Sequence, residues 1–133
     1  KKGDILFTKD GTVGEVAINT LEDELSLLSS VAVLKINNKY CLTQYVYQWL
    51  RSSIFQDIIK KRLTGTALSR LTLEKINKLP ILFPPLSEQQ KITSILTTMD
   101  KLIETTKKQI NQTKSLKKSL MQDLLSGSKR VNI

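Results

Sequence analysis

From Ser87 to Leu125 no glycine or proline interrupts the chain, and apolar residues recur throughout at three- and four-residue spacing. As one continuous helix those 39 positions would run about 58 Å, beyond the width of a small domain. This stretch constrains the fold more than any other feature, because so long a helix must lie against something besides a single compact core. Its ends are signposted. Pro84-Pro85 closes the preceding segment, Ser87 and Gln90 have the spacing of a capping box, and Gly127 follows Leu124-Leu125-Ser126 as a C-terminal stop.

The periodicity predicts a coiled-coil seam. With Leu96, Ile103, Ile110 and Leu124 at a positions, Ile92, Met99 and Leu120 fall at d, leaving Lys117 at a and Thr106 and Thr113 at d. Seven of the ten seam positions are therefore apolar, with a polar middle of the kind that fixes register. Ile95, Leu102 and Leu116 widen the stripe, so the helix can touch more than one neighbour. The plain alternative is a helix folded back onto its own domain.

Residues 1–83 read as a small α+β unit. Asp4–Thr8 is predicted as a strand, Asp10-Gly11 as a tight turn, and Val13–Ile18 as the returning strand of a hairpin. Residues 20–25 are polar and acidic, hence a loop, and Ser29–Ile36 alternates as a further strand. The period then changes. Leu42, Tyr45, Val46, Trp49, Leu50, Ile54, Ile58 and Ile59 mark one face of a single amphipathic helix, capped by Thr43 and ended by Gly65. A turn or two of helix is expected near Thr72–Lys75, and a short apolar strand over Leu79–Phe83. Trp49 and the three tyrosines are expected in the core.

Composition narrows the function. There is one cysteine, Cys41, and no histidine, so neither a disulfide framework nor a zinc site is expected, and no cofactor is called for. No phosphate-cradling glycine loop, nucleophile elbow or histidine base appears, and Glu15 and Glu22 with nearby lysines make no credible nuclease set. Phe83-Pro84-Pro85-Leu86 lacks the Asn and the stacking aromatic of an amino-methyltransferase motif. An enzyme is therefore not expected. No apolar window is long enough to span a membrane and no signal peptide opens the chain, so cytoplasmic residence is the default expectation. The absence of an initiator methionine before an immediate strand suggests a piece of a longer protein. The net charge of +9 favours a polyanionic partner, although lysines that merely solvate exposed faces would give the same sum.

Three segments occur in one order: KGDILFTKDGTVGEVAI, TGTALSRLTLEKINKLPILFPPLSEQQKI and SLKKSLMQDLLSG. Together they resemble the second part of a target-recognition domain and its adjoining helix from the specificity subunit of type I restriction–modification systems. The Leu-Pro-x-x-x-Pro-Pro-Leu-Ser-Glu-Gln-x-x-Ile run at 79–92 is the most specific piece. The resemblance implies a partial recognition domain at 1–83, a spacer and pairing helix at 84–127 and a tail at 128–133. It implies double-stranded DNA as ligand, one half of a bipartite site being read here. It further implies modification (methyltransferase) subunits docked on the helix, a restriction subunit joined through them, and a helix partner from a second half or a second copy. The alternative is a half-subunit that serves mainly as a helix-mediated assembly module.

Phosphate and base contacts require cations or small donors on exposed loops. The hairpin tip, with Lys9 and Thr12, is one candidate. The helix end and loop carrying Lys60, Lys61, Arg62, Thr66, Ser69 and Arg70 is the other. Lysines ending a helix also stabilise it by about 0.3–1 kcal/mol each, so that cluster has a structural reading beside the functional one.

Overall fold

A computed structural model of the chain describes residues 1–24, 26–63 and 70–131. These form two compact units, residues 1–94 and 95–133, with the expected α+β organisation in the first.

The hairpin is present, as β1 (Ile5–Thr8) and β2 (Val16–Ile18), paired antiparallel with Ile5 opposite Ile18. The returning strand starts three residues later than its apolar pattern suggests. Gly11 and Gly14 both adopt positive φ, and the Gly14 N–H donates to the Thr8 carbonyl, so residues 9–15 form a turn. β3 (Val31–Leu34) pairs antiparallel with the other edge of β1, giving the order β2-β1-β3. Period-two alternation then sorts the side chains: Ile5, Phe7 and Ala32 are buried, whereas Val33 is exposed on the opposite face.

The single helix expected after Leu42 is two. α1 spans Thr43–Arg51 and α2 spans Ser53–Leu63, separated at Ser52, whose backbone is extended. Neither glycine nor proline breaks it. Ser52 does so with its hydroxyl, which donates to the Trp49 carbonyl (2.7 Å) and accepts from the Phe55 N–H (3.2 Å). Such side-chain bonds offer the backbone an alternative to the helical ladder. The break lets both helices reach the core, α1 through Tyr45, Val46 and Leu50, and α2 through Phe55 and Ile59. Phe55 meets Phe7 edge-on, with ring centroids 6.4 Å apart. Thr43 is not the cap of α1. Leu42 occupies that position, and Asn38 Oδ1 accepts from both the Thr43 N–H and its hydroxyl. The Gly65 stop lies outside the described residues.

α3 (Leu73–Asn77) is the expected short helix, capped by Thr72. Leu79–Phe83 is not a strand. It has no regular secondary structure, and two of its carbonyls are taken by aromatic side chains: Trp49 Nε1 donates to Pro80 (3.3 Å) and Tyr45 Oη to Leu82 (2.7 Å). Burial holds the Tyr45 phenol above its ordinary pKa, with Cys41 and Glu88 adding to the effect, so it remains a donor. Tyr47 and Trp49 pack partly buried against the core as expected, whereas Tyr40 is exposed with Lys39 over its ring.

α4 runs from Leu86 to Leu125, 40 residues. The capping-box reading fails by two residues, the cap position being Pro85 and not Ser87. The helix begins at Leu86, with the Glu88 and Gln89 N–H groups both donating to the Pro85 carbonyl, so Ser87 lies inside the first turn. The polar device at this junction is Gln89, 1% exposed. Its Oε1 accepts from the Leu42 N–H (2.9 Å), and its Nε2 donates to the Pro84 carbonyl (2.8 Å) and, at 3.5 Å, to that of Tyr40. Gln89 thereby ties the start of α4 to the start of α1.

In the second unit α4 continues to Leu125. Gly127 then turns left-handed (φ +76°), and Lys129 folds back onto Asp123 through its N–H (3.0 Å) and its ammonium (3.0 Å).

Candidate nucleic-acid interface

Two basic segments of the first unit were expected to face DNA, and two side-chain contacts tie the hairpin turn to Arg70 and to α2. The first is Asp10. Its carboxylate lies between Lys9 Nζ (3.1 Å from Oδ2) and Arg70 Nε (3.1 Å from Oδ1). Asp10 and Arg70 also form a β-bridge, and the Leu71 N–H donates to the Lys9 carbonyl (2.8 Å). The hairpin tip and Arg70 are therefore joined. The second is Gln56 on α2, whose Nε2 donates to the Gly14 carbonyl (2.9 Å) and to that of Leu50 (2.8 Å). Gly14 is required there. Its φ is +103°, and a Cβ would stand 3.0 Å from Gln56 Oε1. Neither Asp10 nor Gln56 was singled out by sequence, since an Asp in a turn and a Gln on an amphipathic helix read as ordinary solvated residues.

These contacts change the weight of the candidates. Lys9 is mostly buried against Asp10, so it serves the turn. Arg70 shares that carboxylate but keeps a largely exposed side chain, and Thr12 is exposed at the tip. Lys60, Lys61 and Arg62 fill the last turn of α2 and are all exposed, with Lys60 Nζ 3.8 Å from Asp57 Oδ1. Thr66 and Ser69 lie outside the described residues. What the arrangement offers chemically is a set of cationic donors on a braced support, suited to phosphate contacts. Among the described residues there is no group of three or more His, Cys, Asp or Glu able to hold a metal, and no helix is long and apolar enough to cross a membrane.

The pairing residues divide. Ile92 is half buried against the core of the first unit. Leu96, Met99, Ile103, Ile110, Leu120 and Leu124 are exposed on α4, together with Ile95, Leu102 and Leu116. The polar middle of this stripe is milder than its sequence suggests. The Thr106 and Thr113 hydroxyls already donate to the carbonyls of Leu102 (2.8 Å) and Gln109 (2.9 Å), so covering them strands no donor.

Residues 1–115 match the family model described as the type I restriction modification DNA specificity domain. The putative type I restriction enzyme MjaX specificity subunit of Methanocaldococcus jannaschii is 32% identical over 132 residues, covering 93% of this chain and 30% of the relative. The MjaVIII specificity subunit of the same organism is 29% identical over 126 residues, 94% of this chain and 28% of the relative. The EcoBI specificity subunit of Escherichia coli is 22% identical over 130 residues, 98% of this chain and 27% of the relative. The chain thus spans under a third of the length of these relatives. A chain from a solved structure concerned with complex assembly and conformational transition of the type I R-M system superposes with a TM-score of 0.77, at 20% identity. It covers all of this chain and 32% of the other, a likeness of fold.

Proposed function

This chain belongs to the family of type I restriction–modification DNA specificity domains, and from that premise we propose that it reads one half of a bipartite DNA target and scaffolds modification subunits through α4. In this reading residues 1–83 contact DNA, 84–127 form the spacer and 128–133 a tail. The chain supplies recognition, while methyl transfer and cleavage belong to its partners. The observation that carries the reading is the family match running unbroken from the braced basic unit into the long helix, residues 1–115. The framework of Asp10, Gly14 and Gln56 supports Lys61, Arg62, Thr12 and Arg70 as the DNA-facing set, with Thr66 and Ser69 between them in sequence. The exposed stripe from Leu96 to Leu124 supports pairing with another helix, from a second half or a second copy.

The test is selection from a randomised duplex library by the chain assembled with a modification subunit. Enrichment of a short defined sequence is the expected result. A library recovered without sequence preference contradicts the reading.

A further inference from the structure

The second unit carries a cationic surface that the recognition reading does not use. Residues 105–122 hold five lysines, Lys107, Lys108, Lys114, Lys117 and Lys118, and no aspartate or glutamate. All are exposed, and none has an ion-pair partner among the described residues. In the first unit Lys2, Lys9, Lys60, Arg70 and Lys78 each face a carboxylate and Lys39 and Arg51 lie over tyrosine rings, whereas Lys35, Lys61, Arg62, Lys75 and Lys91 are exposed and scattered in sequence.

At 100° per residue, Lys108 falls opposite the centre of the apolar stripe, Lys107 and Lys118 fall to one side of it, and Lys114 flanks its edge. Asn111, Ser115, Ser119 and Gln122 lie beside them outside the stripe, so that face presents only cations and neutral hydrogen-bonding groups. Lys117 is the exception, lying within the stripe.

We propose that this lysine face of α4 grips DNA phosphates without reading sequence, alongside the base-reading unit. The proposal rests on the DNA-recognition reading and adds a second contact to it. Residues 105–122 extend about 26 Å along the helix axis, and a duplex of that length presents about 15 phosphate charges. A uniform polyanion needs no built pocket, which suits lysines on flexible stems. An acidic protein surface is the less fitting ligand. Protein interfaces are enriched in arginine and depleted in lysine, and α4 contains no arginine.

The experiment compares the full chain with its K107Q/K108Q/K114Q/K118Q variant on a mixed-sequence duplex between 50 and 200 mM salt. Lysine and glutamine have similar helix propensity, and circular dichroism confirms retained helix. Four lost phosphate contacts should make the slope of log affinity against log salt shallower by about 3 to 4. A second variant with Lys2, Lys35, Lys75 and Lys78 changed to Gln controls for net charge, and its slope should stay within about 1 of wild type. Duplex binding with an unchanged slope in the first variant overturns this inference alone. Loss of polyglutamate binding with duplex binding intact overturns it in favour of an acidic protein. Absence of any duplex binding by the wild-type chain overturns both this inference and the reading beneath it.

Discussion

Replacing Gln89 with Leu keeps roughly the same volume but removes both polar atoms from the start of α4. The Leu42 N–H and the Pro84 carbonyl, bonded at 2.9 and 2.8 Å to a side chain that is 1% exposed, would then face an apolar group with no partner. A buried group left unsatisfied costs about 1–3 kcal/mol, so the pair should cost about 2–6 kcal/mol. The third contact, 3.5 Å to the Tyr40 carbonyl, adds little. Against a domain stability of about 5–15 kcal/mol this is a large loss. Even the lower bound should reduce the Tm by about 8 °C or more for a unit of this size. Trp49, the single tryptophan, reports the transition, because its indole is bonded to Pro80 in the same junction. Urea unfolding followed by its fluorescence gives the free-energy difference. A change below about 0.5 kcal/mol, the range of an ordinary surface substitution, would refute the reasoning.

The Gln89→Glu variant separates the hydrogen bonds from packing. A carboxylate can still accept from Leu42 but has no proton for Pro84, whereas the protonated acid has one. Burial, and the Pro84 carbonyl facing the carboxylate with no proton to accept, raise the folded pKa of that glutamate above its unfolded value. Its cost relative to wild type is therefore absent below the usual range near about 4.3. It appears as pH rises through that value and is complete above the folded pKa. A wild-type-to-variant difference that stays flat between pH 4 and 8 would contradict this.

Three further outcomes are expected. Ile103→Lys alters an exposed stripe residue, so unfolding free energy should change by less than about 0.5 kcal/mol, while sedimentation should show loss of any helix-mediated assembly; an unchanged assembly mass would exclude the stripe as a pairing surface. Changing Lys61 and Arg62 to Gln should reduce the salt slope of DNA binding by about 2 with little effect on Tm, whereas an unaltered slope would assign them to the helix terminus alone. Gly14→Ala forces a side chain onto a φ of +103° and against Gln56, so a loss of more than about 1 kcal/mol is expected by urea unfolding, and a neutral result would remove the brace between turn and α2.

The elements written in periodicity were legible in sequence: β1, the two strands flanking it, the apolar face of α1 and α2, and nearly all of α4. What was not legible depended on side chains competing with backbone. Ser52 splits a helix that has no glycine or proline, because its hydroxyl bonds both sides of the break. Leu79–Phe83 has a strand's composition, yet Tyr45 and Trp49 take two of its carbonyls, a choice visible only once α1 lies beside it. Gln89 appeared as one of two glutamines in a polar first turn, and its burial follows from Leu42 lying 47 residues earlier in the chain. At the candidate interface the cations were legible and their restraints were not. The Asp10 carboxylate turns Lys9 from a ligand candidate into part of a turn, and no local spacing announces its pairing with Arg70.

A segment exchange puts the recognition role to the test. Residues 1–83 are transferred into the matching place of a relative such as the EcoBI specificity subunit, and both proteins, assembled with their modification subunits, select from a randomised duplex library. If residues 1–83 read half of the target, one half of the selected sequence changes while the other half and the distance between them stay the same. Selection of the original sequence in full, with the exchanged protein folded and assembled, would contradict the account.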